Sequence, residues 1–130
     1  MTPEELAAAV DTYFEGHLGA AFWGGLTSAS KTGAVTMACN DVLGELPGVS
    51  LDDLTADGYA VKAIAEQAVY LAQNYDSMTE GKVTTSESVD GISEGYTLIG
   101  SRIGFSFRAE AFLKRAKQAY LGGSLRVSRG

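Results

Sequence analysis

The sequence predicts a single, mainly α-helical domain, and three observations point there. Apolar residues recur at three- and four-residue spacing through four long segments, helix-capping residues stand immediately before those segments, and glycines cluster in the gaps between them. The chain has 130 residues, enough for one compact core and short for two. Hydrophobic residues make up 45% and charged residues 20%, with mean hydropathy near zero. That balance excludes a disordered chain, and no run approaches the roughly 18 apolar residues of a membrane span. The opening Met1-Thr2-Pro3-Glu4-Glu5 lacks the basic and apolar regions of a signal peptide, which predicts a protein made and retained in solution inside the cell.

Thr2-Pro3-Glu4-Glu5 carries a threonine cap, a proline at the first helical position and a glutamate placed to close a capping box. The first helix therefore runs to about Glu15, with Leu6, Val10, Tyr13 and Phe14 on one face and Gly16 and Gly19 as stops. Ala20-Ala21-Phe22-Trp23 is a short apolar connection that needs cover. A second helix follows Thr27 and Ser28, from about Ala29 to Glu45, burying Val35, Ala38, Cys39, Val42, Leu43 and Leu46 and ending at Pro47-Gly48. The helix is drawn straight, with Gly33 inside it the position open to a kink. Ser50 to Asp57 reads as an acidic turn in which Asp57 caps the next helix. From Gly58 to about Tyr75, Val61, Ile64, Ala65, Ala68, Val69, Leu71 and Ala72 cover more than one face, as a central helix requires.

The period then changes. Lys82 to Val89 is rich in threonine, serine and valine, Asp90-Gly91 is a two-residue turn, and Ile92 to Ile99 resumes with Tyr96 and Leu98. This pattern predicts a β-hairpin over about 82–99, its second strand drawn straight with Gly95 the position open to a bulge. Ser106 caps a last helix from about Arg108 to Leu121, which Gly122-Gly123 should end. The expected organisation is thus a domain over 1–123 and a short, extended, basic tail over 124–130.

Charge is divided along the chain. Residues 1–57 hold nine acids against Lys31, about −8, whereas 105–130 hold six bases against Glu110, about +5; three bases and six acids between them return the total to −6. Such a chain suits head-to-tail assembly, the basic end of one unit meeting an acidic surface of the next.

Motifs for chemistry are few. One cysteine and one histidine cannot build a Cys/His zinc site, and neither nucleotide-binding glycine fingerprint is present. His17 near the end of the first helix reads as structural, favoured there by the helix dipole. Cys39 reads as a small core residue. Asp11 with Glu15, and Asp52 with Asp53, read as exposed acids, so a small hydrolase built on them and His17 is the weakest reading. Trp23 beside Phe22 reads as a plug on the helical core rather than a base-stacking platform. Lys114, Arg115 and Lys117, with Arg126 and Arg129 in the tail, suit phosphate contact or a solvated face equally, and an isoelectric point near 4.6 argues against nucleic acid as the main partner.

Several stretches carry a resemblance in their order along the chain. They are Asp11-Thr12-Tyr13-Phe14 followed by Ala21-Phe22-Trp23, the segment Lys31 to Leu46, Glu66-Gln67-Ala68-Val69-Tyr70-Leu71, Thr85 to Ser93, and Arg108 to Leu113. Together they resemble the head-tail connector (adaptor) proteins of tailed bacteriophages and related gene-transfer particles, including the DnaT-like group. The resemblance implies a non-enzymatic virion protein without cofactors, made in the bacterial host cytoplasm, that forms a homo-oligomeric ring at the neck beneath the portal protein and meets tail or neck proteins. DNA would pass through the ring without sequence-specific binding. Within that reading, the alternating apolar and cationic tail, Leu125, Arg126, Val127 and Arg129 with Lys117 and Tyr120, is assigned to portal contact, and the strand edges of the hairpin, through Thr85, Glu87, Val89, Ile92, Tyr96 and Leu98, to neighbouring subunits. The alternative is a single-stranded-DNA-binding module using Trp23 or Tyr96 with the basic helix, which predicts salt-sensitive oligonucleotide binding.

Overall fold

A computed structural model describes the backbone of residues 1–79 and 104–129, and side chains over 1–75 and 104–121. Its described residues form five α-helices and a 3-10 turn, with no strand among them. The helices are α1 (Pro3–Tyr13), α2 (Ala20–Gly24), α3 (Ser28–Leu43), α4 (Tyr59–Thr79) and α5 (Phe107–Arg129), and the 3-10 turn spans Leu51–Asp53. The mainly helical class read from the sequence holds. The hairpin expected over 82–99 lies outside the described residues.

Local chemistry explains where the helices begin. The Thr2 hydroxyl accepts from the Glu5 N–H at 3.1 Å, and the Glu5 carboxylate accepts the Thr2 N–H at 2.8 Å, closing the expected capping box. Thr27 caps α3 through the Ser30 N–H, and the Ser106 hydroxyl takes the Ala109 N–H at the start of α5. Gly16 follows α1 at φ +78°, a left-handed conformation that an L side chain resists.

Three boundaries depart from the sequence reading. Ala20–Gly24 is a short helix rather than an irregular connection. Gly58, not Asp57, stands at the head of α4, since its carbonyl accepts the Lys62 N–H at 3.1 Å; Asp57 is one residue too early. Gly122-Gly123 do not end α5, which continues to Arg129, so residues 124–129 form helix rather than an extended tail. A glycine costs a helix interior only about 1 kcal/mol relative to alanine, too little for a pair to stop a long helix unaided. By contrast, α3 runs uninterrupted through Gly33, as the sequence reading draws it.

α4 is the axis of the molecule. It packs against α1, α3 and α5, and every residue from Ala63 to Val69 is buried. Val10, Val42, Leu46, Val61 and Ile64 are among the most deeply buried apolar side chains. Leu43, expected in the core, is half-buried at its edge. No described helix is long and apolar enough to cross a membrane.

Candidate functional site

The most concentrated polar chemistry lies in the middle of α4, where Glu66 and Gln67 interrupt an apolar run. Both are buried, Glu66 at 3% and Gln67 at 0% exposure. A carboxylate in such a place must be paired or give up its charge. Three donors converge on its Oε2: the Tyr13 hydroxyl at 2.6 Å, His17 Nε2 at 2.8 Å and Arg108 Nε at 3.0 Å. One acid thereby ties α4 to α1, to the turn that follows α1, and to α5.

The direction of the His17 bond is fixed locally. His17 Nδ1 lies 2.8 Å from the Gly19 N–H and accepts from it, which leaves Nε2–H to donate to Glu66. Burial pushes the Glu66 carboxyl up, but the hydrogen bonds from Tyr13, His17 and Arg108 outweigh it and hold the group below its ordinary value. The same contact acts oppositely on its partner. Burial, and then the hydrogen bond to Glu66, push the Tyr13 phenol up to about 12.

Gln67 performs the neutral counterpart on the next residue. Its Nε2 donates to Asp41 Oδ2 at 2.9 Å and to the Gly104 carbonyl at 2.8 Å, and its Oε1 accepts the Ser106 N–H at 2.9 Å. Gly104 takes φ +88°, so the chain entering α5 is pinned to α4 at a position that favours glycine. Tyr13, His17 and Glu66 are groups capable of proton transfer, and the Tyr13 hydroxyl, His17 Nε2 and Arg108 Nε are all turned on Glu66 Oε2. The arrangement acts as a clamp.

The other sequence candidates are placed as follows. Trp23 is the plug it was expected to be: 2% exposed, stacked on Phe14 at 5.0 Å, with Nε1 donating to Asp11 Oδ1 at 2.8 Å. It has no face free for a base. Asp53 accepts the Ser50 N–H, and Asp52 lies 3.8 Å from the terminal amine of Met1; neither joins a catalytic pair. Cys39 is buried, and burial pushes its thiol up, away from the reactive thiolate. Lys117 lies 3.6 Å from Glu45 Oε1, and the Tyr120 hydroxyl donates to the Asp53 carbonyl at 3.0 Å. Leu125, Arg126, Val127 and Arg129 fall in the last turns of α5. Thr85, Glu87, Val89, Ile92, Tyr96 and Leu98 lie outside the described residues. Among those described, no three His, Cys, Asp or Glu side chains gather where a metal could be held.

Sequence reasoning missed the Glu66 and Gln67 clamps. The available signal was two polar residues between Ile64-Ala65 and Ala68-Val69 on a helix apolar on more than one face. Comparison with protein-family models, curated proteins and solved structures finds no match to this chain.

Proposed function

We propose that the chain is a non-enzymatic structural connector of a tailed-bacteriophage particle, forming a ring of about twelve copies at the neck that joins the DNA-filled head to the tail. The observation that carries this reading is the clamp: the acid, phenol, imidazole and guanidinium best suited to chemistry are spent on holding helices together. What remains is a braced helical scaffold whose use is to present surfaces.

The scaffold also leaves room for the arm that the sequence predicts. The α5 entry is pinned beside Gln67, whereas α4 continues twelve residues further, to Thr79, about 18 Å along its axis. Six extended residues would cover that return, and the 24 residues of 80–103 leave ample length for a hairpin over 82–99. In this reading the hairpin, through Thr85, Glu87, Val89, Ile92, Tyr96 and Leu98, reaches neighbouring subunits. The end of α5, through Leu125, Arg126, Val127 and Arg129 with Lys117 and Tyr120, meets the portal as a helix. Engaging Lys117 and Tyr120 means exchanging their contacts to Glu45 and Asp53.

The test is reconstitution on DNA-filled heads that carry the portal and lack this protein. Added protein is expected to appear as a ring beneath the portal by electron microscopy, to stop DNA leakage and to permit tail joining. Heads that stay bare, together with salt-sensitive binding of single-stranded oligonucleotides by the free protein, would replace the connector reading with the DNA-binding one.

A further inference from the structure

The outer side of α4 and α5 carries a strip in which cations and aromatic rings alternate. Tyr59 and Phe112 stack at 6.3 Å and 23°. Lys62 Nζ stands 5.4 Å from the Tyr59 centroid and 6.0 Å from that of Phe112, Arg115 lies 5.6 Å from Tyr59, and Arg108 lies 5.9 Å from Phe112. Lys114 stands at the edge of the strip, where it lines a groove with Tyr59 and Arg115. Arg108 is bound to Glu66, but among the described residues Lys62, Lys114 and Arg115 have no carboxylate within ion-pair distance. The rings hold the cations in place, and the cations in turn occupy the ring surroundings that a stacked base would need.

A complementary surface lies on α1. Glu4 and Asp11 are exposed on one stripe of α1, where Asp11 also takes the Trp23 indole N–H, and exposed Glu15 follows in the turn beyond the helix. Tyr13 marks the direction of the clamp, since its ring meets Phe112 of α5 and its hydroxyl reaches Glu66. At 100° per residue the acidic stripe lies about 160–180° from Tyr13 around α1, facing away from α5. The chain therefore cannot satisfy its own strip with this stripe, but a second copy can. Spacing matches as well as charge: Glu4 to Asp11 and Arg108 to Arg115 are both seven-residue steps, about 10.5 Å along a helix.

We infer that the strip of Tyr59, Lys62, Arg108, Phe112, Lys114 and Arg115 docks on the Glu4, Asp11 and Glu15 surface of a second copy of this chain. The inference rests on the ring-forming part of the proposed function and names its contact. Each copy uses different surfaces on its two sides, so the contact is heterologous and repeats until it closes. Because the chain carries −6 overall, copies repel except in an orientation that brings cation to acid.

The experiment is sedimentation of the purified full chain at about 50 and about 500 mM NaCl, conditions that differ strongly in screening. Self-association should weaken about tenfold at the higher salt. Lys114→Glu with Arg115→Glu should abolish it at low salt, as should Glu4→Lys with Glu15→Lys, each retaining the helical circular dichroism. All four changes in one chain should restore it, which a merely misfolded variant would not do. Association that strengthens with salt, or that survives both reversals, overturns this contact while leaving a ring built on other surfaces standing. A chain monomeric in every condition overturns this contact, while the ring itself is judged by reconstitution beneath the portal. Reversal of Lys114 and Arg115 that removes oligonucleotide binding but not self-association assigns the strip to nucleic acid instead.

Discussion

α4 is held in two different ways. Against α3 the packing is chiefly of small and branched apolar groups: α4 buries Ala60, Ile64, Ala68 and Leu71, and α3 buries Ala34, Val35, Ala38 and Val42. Gln67, through Asp41, adds a polar tie between those two helices. Toward α1 and α5, by contrast, a buried carboxylate gathers three donors from two helices and a turn. Apolar contact is generous in energy and tolerant of register, whereas a buried acid is costly unless each partner arrives at its place. The comparison assigns stability mainly to the α3 side and the relative placement of α1, α4 and α5 to the Glu66 side. That placement also sets the positions of the cationic strip and the acidic stripe.

Deep truncation on the apolar face should have the largest effect. Ile64 is fully buried, and Ile64→Ala should cost about 2–5 kcal/mol in chemical denaturation. The loss should be the same at neutral and at mildly acidic pH, because no titrating group is removed. A loss that changed sharply with pH would place Ile64 in the polar half of the comparison. A smaller effect is expected across the molecule. Tyr13→Phe removes one hydrogen bond to an ionised carboxylate and should cost about 1.5–3 kcal/mol at neutral pH. The folded phenol is pushed up to about 12 from an ordinary value near 10, so its contribution is complete below pH 10 and is lost as pH rises through about 12. Unfolding curves of the parent and the Tyr13→Phe chain should therefore converge at the alkaline end.

The parts legible in the sequence were those governed by neighbours along the chain. Thr2 with Glu5, Thr27 and Ser106 act within three residues of themselves, and each appears at its helix start. The burial of Trp23 was also legible, because a large ring in a glycine-bounded apolar stretch has few other uses. Competition between comparable local signals was harder to read. Asp57 and Gly58 both suit the head of α4, and glycine propensity at 122–123 opposes the continuation of α5 only weakly. The clamp was illegible for another reason: Tyr13 and His17 lie 53 and 49 residues from Glu66, beyond any local periodicity. Only the polar pair inside an apolar helix hinted that distant partners were needed.

The charged state of Glu66 is the centre of this account, and it is tested by comparing the stability of the parent chain with Glu66→Gln across pH. The folded carboxyl is held below its unfolded value, about 4.3, so its contribution is present above that value and is lost as pH falls through the lower, folded one. At pH 7 the glutamine variant should be less stable by about 1.5–3 kcal/mol, as expected when a hydrogen-bonded charge is neutralised. The gap should narrow steadily below pH 4, where the parent acid also becomes neutral. A gap that stays constant from pH 7 through the acid range, or no gap at all, would contradict an ionised clamp at the middle of α4.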